Sequence, residues 1–570
     1  MGLKNWKLTG GNQEEKIGKL QREHKLPRPI AVYFASRGIE SSEVSRFLDP
    51  RLSNLSDPYR FPGIKDAAAR LWRAISDNEP ILIHGDYDTD GITASALLAW
   101  VLRDNGATVH SFIPHRFDDG YGFTPESLQK ALEAFGTCGV LVTVDCGITS
   151  CDAVKEATDR GIDVIVTDHH EAGTELPEAL AIINAKIYPE LEDLHLLSGA
   201  GAAFKLCHAF IKYGRENNCG GFHTHLEEIL DYVALGTVAD IVPLLGENRI
   251  LVKYGIMALR KQIRPGVRAL IESSKIKSGL SPSDITFRLA PRINAAGRVG
   301  DANVALKLLE SDHIIEAYDC AAQLETYNRI RQEKEQEIYQ ESKEQIERNL
   351  AWQSPYSLLV AGRDWHQGVI GIVASRLTRD YNRPTIVLTI QGDEAYGSGR
   401  SIACLNLVEV LSRHADLLNR FGGHPMAVGI GLQTDRIAPF FEAMDTEIRK
   451  QISTADLESF ISYDGEATLN EMDDEFFEYL DKLSPFGHSN PKPVYRFNEL
   501  RVVRCSAVGG GVHTRGILQS SSAQMEFIAF NRSPQEFYGK VIDVLATPQL
   551  NQHQDTTTPQ LNIVDMQEII

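Results

Sequence analysis

Three carboxylates crowd into one short segment, HGDYDTDG at positions 84–91, and they give the strongest chemical signal in the chain. Asp86, Asp88 and Asp90 would repel one another unless cations compensated their charge. An EF-hand calcium loop shares this spacing, but its twelfth position requires Glu where this chain has Leu97, and a strand pattern precedes the segment instead of a helix. A simple cluster of Asx turns is the other alternative. The spacing favours a site for divalent cations of another kind.

Further carboxylate and imidazole groups follow later apolar runs. Asp145 lies in VDCG, the triplet Asp168, His169 and His170 ends the run DVIVTDHH, and Asp240 ends GTVAD. Adjacent histidines point in different directions from a regular backbone, so one can bind a metal while its neighbour faces a substrate. Mixed oxygen and nitrogen ligands suit Mn²⁺ or Mg²⁺. Two such ions, bridged by a carboxylate for which Asp145 is the candidate, could activate water and hold a phosphodiester for in-line attack.

The segments that carry these groups alternate between apolar runs and helical stretches. From about residue 80 to residue 170, short runs such as ILIHG and GVLVTVD are separated by helical patterns, which predicts a parallel, doubly wound sheet. Ligands of such a sheet gather at the carboxyl ends of its strands, where Asp86, Asp145 and Asp168 occur. The sequence therefore predicts an α/β domain that brings the carboxylates together.

Changes of pattern divide the chain into five predicted parts. Prolines break residues 1–75 into short helices, an irregular lead-in. The α/β domain follows at 76–305, and a charged helical stretch at 306–352 predicts a long connecting helix. A second, glycine-rich α/β pattern occupies 353–455. Short strands near the end predict a small β-barrel of the oligonucleotide-binding (OB) type within 456–570, and the acidic stretch that opens this part is interpreted as a solvated face.

Composition limits the classes of partner and the compartment. The 570 residues carry 58 Lys and Arg against 77 Asp and Glu, a net charge of −19, so any bound nucleic acid must meet cations focused in one groove. The 8 cysteines form no C-x-x-C pair, which argues against a zinc ribbon or a disulfide framework and favours a reducing compartment. No apolar stretch is long enough to span a bilayer, and the polar start lacks a signal peptide. We expect a cytoplasmic monomer without membrane association.

A series of motifs adds a family resemblance: DYDTDG, VDCG, TDHHE, GTVADIVPL, PRINAAGR at 291–298 and GGHPMAVG at 422–429. In this order they resemble the DHH phosphoesterase superfamily, and most closely its bacterial single-strand exonucleases, which carry an associated DHHA1 domain. The likeness covers nearly the whole chain, from the lead-in to the terminal barrel. It implies that the chain hydrolyses single-stranded DNA from the 5′ end and releases mononucleotides, in DNA repair and recombination.

The resemblance also implies roles for individual residues. Two Mn²⁺ or Mg²⁺ ions would be bound by Asp88, Asp90, Asp145, His169 and Asp240, with Asp86 as a further ligand and His84 as an additional candidate. His170 is expected to contact the scissile phosphate and assist the leaving group. Asp88 and Asp145 would act with it in catalysis.

An exonuclease needs an anchor for the terminal phosphate of its substrate. Arginine suits this task because its guanidinium recognises phosphate through two hydrogen bonds, and aromatic side chains stack on bases. The resemblance implies Arg116, Ser398 and Arg400 as contacts of the 5′-phosphate, and Arg292 and Arg298 as contacts of the strand backbone. We further expect Tyr121 to stack on a base and His424 of the GGH element to contact the substrate. Two domains joined by a helix would leave a cleft that admits one strand and excludes a duplex.

Two other functions remain open from the sequence. Shorter relatives of this kind are phosphodiesterases for short oligoribonucleotides or cyclic dinucleotides, but they lack the lead-in and the barrel. Degenerate members of the superfamily are non-catalytic replication scaffolds, but they have lost carboxylates that this chain retains. For the exonuclease we expect single-stranded DNA as substrate, and a helicase and a single-stranded-DNA-binding protein as partners.

Overall fold

The computed structural model describes residues 5–11, 13–116, 122–276, 279–553 and 556–569. Within these ranges three larger sheets organise the chain, and a two-stranded parallel pair joins residues 5–8 to residues 460–463. No helix of the described residues combines the length and the apolar character needed to cross a membrane.

The N-terminal segment forms one strand and four helices. These are β1 (Asn5–Leu8), α1 (Glu14–His24), α2 (Arg28–Ser36), α3 (Ser41–Leu48) and α4 (Ile64–Ser76), with 3₁₀ turns at Leu52–Asn54 and Pro58–Arg60. Ile30 and Phe34 of α2 share a hydrophobic core with Phe476 and Tyr495 of the C-terminal domain, whereas α4 packs into the core of the first α/β domain. The predicted lead-in is thus divided between two domains, which its sequence pattern did not indicate.

A five-stranded parallel sheet forms the first α/β domain, as predicted. Its elements are β2 (Ile81–Gly85), α5 (Thr89–Asp104), β3 (Val109–Phe112), α6 (Pro125–Phe135), β4 (Val140–Val144), α7 (Cys151–Asp159), β5 (Asp163–Thr167) and β6 (Ala181–Ile183). The strand order is β3-β2-β4-β5-β6, and the fully buried residues of β2 and β4 occupy its centre. Because every strand runs in the same direction, all carboxyl ends meet at one edge.

Helices complete this domain and lead out of it. Short 3₁₀ segments lie at Ala185–Ile187, Pro189–Leu194 and Leu226–Ile229, and the helices are α8 (Gly199–Glu216), α9 (Leu230–Ala239), α10 (Gly246–Lys261), α11 (Pro265–Ser273), α12 (Pro282–Asp284) continued by a π-helical turn (Ile285–Leu289), α13 (Ala290–Val299), α14 (Asn303–Glu310) and α15 (Ile314–Glu347). The 34-residue helix α15 packs against α11, α13 and α14 and also against the next domain. It is the long connecting helix that the charged pattern predicted, separated from α14 by a short break.

The second α/β domain is built on a mixed sheet with the order β11-β12-β10-β9-β8-β7. Its elements are β7 (Trp352–Gln353), β8 (Leu358–Arg363), α16 (Gln367–Tyr381), β9 (Thr385–Gln391), β10 (Glu394–Arg400), α17 (Leu407–Ser412), β11 (Arg420–His424), β12 (Ala427–Gln433) and α18 (Ile437–Gln451), with 3₁₀ turns at Ala415–Leu417 and Thr434–Arg436. Only β8 and β9 pair in parallel among its described strands. Helices α15 and α16 place this domain against the first.

The C-terminal domain is a closed five-stranded barrel of the OB type, as predicted. It contains β13 (Phe460–Tyr463), β14 (Gly465–Glu466), α19 (Asp474–Lys482), β15 (Tyr495–Val508), β16 (His513–Gln519), β17 (Gln524–Ala529), β18 (Val541–His553) and β19 (Thr556–Glu568), with 3₁₀ turns at Thr454–Leu457, Leu469–Glu471 and Pro534–Glu536. Strand β15 pairs with both β16 and β18, which closes the barrel. Strands β17 and β19 pair in parallel, while β1 pairs with β13.

Candidate metal centre and phosphate-binding cleft

The predicted carboxylates lie together at the carboxyl edge of the five-stranded sheet. Asp86 follows β2, Asp145 follows β4 and Asp168 follows β5. Only 3%, 2% and 1% of these three residues is exposed. Parallel strands thus collect residues that are far apart in the sequence at the edge where ligands of such sheets bind.

The DYDTDG loop is folded tightly by its own backbone. Asp88 caps α5, and its side chain accepts hydrogen bonds from the backbone N–H groups of Asp90 (2.9 Å) and Gly91 (3.2 Å). Position 91 requires glycine, because a Cβ there would lie 2.5 Å from the carbonyl oxygen of Asp86. The loop therefore holds three carboxylates within a single turn.

The start of helix α8 lies against Asp90 of this loop and against Asp145. The Asp90 side chain accepts hydrogen bonds from the backbone N–H groups of Gly199 (2.6 Å) and Ala200 (3.0 Å), at the helix end whose dipole favours negative charge. Asp145 also approaches Gly199, since a Cβ on that glycine would lie 2.3 Å from its Oδ1. Asp145 has a left-handed backbone with φ of 61°, a strained conformation that occurs at functional sites.

His169 and His170 face different partners, as expected of adjacent residues. His169 Nε2 lies 3.2 Å from Asp145 Oδ1 and 3.6 Å from Asp240 Oδ2, and Asp240 directly follows helix α9. His170 Nδ1 is instead 2.8 Å from Asp168 Oδ1, which also accepts the backbone N–H groups of both histidines. Sequence reasoning placed Asp168 at this edge but gave it no role. It fixes the His170 ring and leaves Nε2 available.

The two imidazoles differ in their tendency to hold a proton. Burial, together with the charge of His170, lowers the pKa of His169 to about 3, so this ring is neutral, as a metal ligand must be. Burial also lowers the pKa of His170, but the hydrogen bond to Asp168 and the negative charges of Asp168, Asp240 and Asp86 together outweigh burial and raise the pKa to about 9. One histidine therefore offers a lone pair, and the other offers a proton.

Three groups of potential metal donors occur among the described residues, each with its donor atoms within 4.8 Å of one another. They are Asp86 with Asp88 and Asp145, Asp90 with His169 and Asp240, and Asp145 with His169 and His170. Every residue predicted as a metal ligand belongs to one of these groups. Asp145 and His169 each belong to two groups, and Asp145 is the one carboxylate shared between two of them, which is the arrangement expected of a bridging ligand.

The electrostatics of these groups fit divalent cations. Burial, followed by the charge of Asp88, raises the pKa of Asp86 to about 8 and that of Asp90 to about 7 in the metal-free chain. Burial and the charge of Asp90 raise the pKa of Asp240 to about 8. Asp86 Oδ1 is buried and accepts no hydrogen bond from the described residues. Oxygen donors with one imidazole suit Mn²⁺ or Mg²⁺, so the donor set fits the predicted ions.

His84, the additional candidate ligand, lies apart from these groups. Its Nε2 is 3.0 Å from Ser127 Oγ, and its ring packs 4.9 Å from the ring of Phe123. The side chain is completely buried between the sheet and α6. No donor group among the described residues includes His84, so its place in the structure is that of a core residue.

Three arginines of the predicted phosphate site approach one another where the two α/β domains meet. The Arg116 guanidinium lies 5.0 Å from the centre of the Tyr87 ring, beside the DYDTDG loop. Burial and the charge of Arg116 lower the pKa of Arg298 to about 10 and also lower the pKa of Arg400. Arg400 donates to Ser398 Oγ at 2.8 Å. Among the described residues no carboxylate pairs with Arg298 or Arg400, so their charge is available to an anion.

The remaining predicted substrate contacts differ in position. His424 lies at the end of β11, and its ring centre is 6.5 Å from that of His170, so the second domain faces the metal rim. Arg292 instead donates to Glu325 Oε2 at 2.6 Å, which joins α13 to α15. The structure gives Arg292 this packing role, and its predicted contact with the strand backbone stays a prediction. Tyr121 lies outside the described residues.

Comparison with known proteins agrees with this fold and site. The model described as "DHH family, N-terminal domain" matches residues 80–237, the DHHA1 domain model matches 355–450, and the RecJ OB domain model matches 463–565. The fold and the buried donor groups thus define a metal-dependent hydrolase of the DHH phosphoesterase class.

Individual similar proteins assign the chain to one family within this class. The single-stranded-DNA-specific exonuclease RecJ of Dickeya dadantii is 37% identical over 90% of this chain and 94% of the relative, and that of Bacillus subtilis is 33% identical over 98% and 70%. The crystal structure of Thermus thermophilus RecJ in complex with Mn²⁺ superposes with a TM-score of 0.82 at 28% identity, covering 99% of this chain and 80% of that chain. A second structure of that protein contains Mg²⁺ and gives a TM-score of 0.77. The chain belongs to the RecJ exonuclease family.

Proposed function

We propose that this chain is an exonuclease that degrades single-stranded DNA from the 5′ end and releases 5′-mononucleotides. The observation that carries the proposal is a buried group of carboxylates beside Arg298 and Arg400, which have no carboxylate partner among the described residues, at the junction of two domains. The relatives bear the name of single-stranded-DNA-specific exonucleases. No feature of the site favours the alternative of a phosphodiesterase for short oligoribonucleotides or cyclic dinucleotides.

The proposed ligands of two divalent cations are Asp86, Asp88, Asp90, Asp145, His169 and Asp240. When bound, Mn²⁺ or Mg²⁺ would lower the pKa of a water molecule and neutralise charge on the phosphate. The chain itself orients these side chains through the cap of α5 and the start of α8. The fixed carboxylates would hold the cations, and with them the reacting phosphate, at the edge of the sheet.

His170 is the proposed partner of the scissile phosphate. Asp168 holds its Nδ1, so Nε2 is the nitrogen able to donate to a phosphate oxygen or to the departing 3′ oxygen. Hydrolysis breaks the bond between phosphorus and this 3′ oxygen, which takes up a proton, while the hydroxyl of the attacking water joins the phosphorus. A positioned proton donor of this kind contributes about 10²–10⁴-fold to a reaction rate.

Arg116, Ser398 and Arg400 are the proposed anchor for the terminal 5′-phosphate, and Arg298 is the proposed contact of the strand backbone beside it. Each cut leaves a new 5′-phosphate on the remaining strand, so the same anchor can bind the shortened substrate. Because these residues lie near the DYDTDG loop, an anchored 5′-phosphate would lie a short, fixed distance from the bond that is cut. This distance supports a product of short, fixed length. His424, on the opposite domain, would contact the substrate from the other wall of the cleft.

The barrel is the proposed guide for the rest of the strand. It exposes aromatic side chains, Phe530 at 52% and Tyr538 at 78%, of the kind that stack on bases without regard to sequence. We further propose that a helicase and a single-stranded-DNA-binding protein supply the strand in the cytoplasm. All 8 cysteines are unpaired, which supports a reducing compartment.

The test compares one single-stranded oligonucleotide labelled at its 5′ end with the same strand labelled at its 3′ end, each with Mn²⁺ and with EDTA. The 5′ label should appear at once as a mononucleotide, the 3′-labelled strand should shorten gradually, and EDTA should stop both reactions. Arg400→Gln should weaken the preference for a 5′-phosphate over a 5′-hydroxyl by roughly 10–100-fold, since a charged hydrogen bond is lost.

Arg379→Gln is the matched control, because Arg379 is an exposed residue of α16 whose ion-pair partner is its neighbour Asp380. This variant should keep the preference unchanged. Immediate release of a mononucleotide from the 3′ label would contradict the proposed polarity. Faster turnover of a dinucleotide or cyclic dinucleotide than of the long strand would favour the alternative function.

A further inference from the structure

One side chain of helix α13 binds the residue that separates two of the proposed metal ligands. Asn294 Oδ1 accepts hydrogen bonds from both the backbone N–H and the hydroxyl of Thr89, each at 2.8 Å. Thr89 is 1% exposed and lies between Asp88 and Asp90. A single carbonyl oxygen from a remote helix therefore fixes the first turn of α5, from which both carboxylates project.

Helix α13 is itself held at several points. A Cβ on Gly297 would lie 2.8 Å from the carbonyl oxygen of Tyr87, so the helix touches the DYDTDG loop directly. Arg298 donates to the carbonyl oxygen of Gly368 at 3.2 Å, which ties the helix to the second domain. The ion pair of Arg292 ties it to α15. Asn294 thus reaches Thr89 from a well-fixed support.

The position of Thr89 controls how its two neighbours are arranged. The Asp88 carboxylate is used in part to cap α5, and the Asp90 carboxylate is held by the first N–H groups of α8. A shift of the first turn of α5 would move these two carboxylates relative to each other and relative to Asp145. Hydrogen bonds behind the ligands orient them in this way in many metal sites.

We propose that Asn294 is a positioning residue for the metal centre, whose hydrogen bonds to Thr89 set the affinity for divalent cations. This rests on the proposed function, because it takes Asp88 and Asp90 as metal ligands. Asn294 lies in the motif PRINAAGR, and the sequence alone assigned it no role. None of the described hydrogen bonds joins Asn294 to the carboxylate of Asp88 or Asp90. A purely structural role would lower stability and leave the affinity for metal unchanged.

The test measures Mn²⁺ binding to the purified full chain without DNA, by calorimetry and by the electron paramagnetic resonance signal of free Mn²⁺. Asn294→Leu, which removes the acceptor at nearly constant size, should weaken binding by about 10–100-fold. Asn294→Asp keeps an acceptor oxygen and should restore most of the affinity. Thr89→Val removes only the hydroxyl donor and should weaken binding by roughly 2–10-fold.

The losses of Mn²⁺ affinity caused by Asn294→Leu and by Thr89→Val should not add. Once Asn294→Leu has removed the acceptor, Thr89→Val can break only the long 3.4 Å hydrogen bond from the Thr89 hydroxyl to the Ala290 carbonyl oxygen, so the double variant should bind Mn²⁺ nearly as weakly as Asn294→Leu alone. Asn217→Leu is the control, because the exposed Asn217 side chain bonds only to the Tyr213 carbonyl oxygen among the described residues. It should bind Mn²⁺ as the unchanged chain does.

The outcomes separate this proposal from the proposed function. If the unchanged chain binds no Mn²⁺, the metal site itself is wrong. If the unchanged chain and Asn294→Leu bind Mn²⁺ equally tightly, or if the two losses add fully, the positioning role is wrong while the metal site stands. Should Asn294→Leu fail to fold, Thr89→Val and Asn294→Asp decide the question, and equal affinity of Thr89→Val and the unchanged chain overturns the proposal.

Discussion

Two acid-rich segments, DYDTD at 86–90 and DDEFFEYLD at 473–481, are similar in composition and opposite in surroundings. In the first, Asp86 and Asp90 are 3% and 1% exposed. In the second, helix α19 buries Phe476, Phe477 and Leu480 and leaves its acidic residues at the surface. The comparison indicates that the density of carboxylates does not mark a metal site, whereas their burial without a Lys or Arg partner does.

The partners of the carboxylates differ as well. In the second segment Asp473 caps α19, and Glu478 pairs with Lys482 at 2.7 Å, an exposed ion pair of small energetic weight. In the first segment the partners are backbone N–H groups, and no Lys or Arg of the described residues forms an ion pair with Asp86 or Asp90. The partial charges of backbone N–H groups alone do not balance several buried, ionised carboxylates. The first segment therefore requires cations from solution.

The largest effect should follow removal of the carboxylate shared by two donor groups. Asp145→Asn keeps the shape of the side chain but removes the charge that would bridge two cations, so we expect hydrolysis of single-stranded DNA to fall by about 10⁴-fold or more. Binding of the strand, measured by fluorescence anisotropy in EDTA, should change little because the arginines are untouched. Near-normal turnover with Mn²⁺ would remove Asp145 from the metal centre.

A smaller effect concerns stability and pH in the absence of metal. Burial raises the pKa of Asp86 and Asp240 to about 8 and that of Asp90 to about 7, so the folded chain retains protons that the unfolded chain has released by roughly pH 4. The associated stability is present at low pH and is lost as pH rises through these values. Between about pH 5 and 6, where the unfolded carboxyl has lost its proton and the folded one keeps it, each such carboxyl should lower the free energy of unfolding by about 1.4 kcal/mol per pH unit. This slope should fade as the pH passes the raised pKa of each group.

Urea unfolding at a series of pH values in EDTA measures this slope. Mn²⁺ should remove or reverse it, because cations favour the ionised carboxylates. Asp90→Asn should make the slope shallower, whereas Glu478→Gln in the exposed segment should leave it as in the unchanged chain. A stability that stays flat between about pH 5 and 6 in EDTA would show that the buried segment is no different from the exposed one.

Much of the candidate metal centre could be predicted from the sequence, because it depends on the order of strands and helices along the chain. The alternation of strands and helices placed Asp86, Asp145 and Asp168 at strand ends, and a parallel sheet brings such ends to one edge. The donor types then indicated the kind of ion. Neither inference needed knowledge of contacts between distant parts of the chain.

Contacts between distant residues could not be predicted in this way. Asn294 and Thr89 are 205 positions apart, and no local pattern encodes their hydrogen bonds. The same holds for buried Arg249, which donates to the carbonyl oxygens of Leu483 and Ser484 and so fastens the first domain to the barrel domain. The packing of helices α1–α3 on the barrel domain is of this kind as well, because burial of an apolar face predicts a partner without identifying it.

The smallest effect is expected in the exposed acidic helix. Glu478→Gln breaks a solvent-exposed ion pair with Lys482, so the free energy of unfolding should change by no more than about 0.5 kcal/mol. Hydrolysis of single-stranded DNA and the affinity for Mn²⁺ should equal those of the unchanged chain. A loss of activity or of Mn²⁺ binding comparable with that of Asp145→Asn would mean that acidic composition, and not burial, marks the metal site, and the comparison of the two segments would then be wrong.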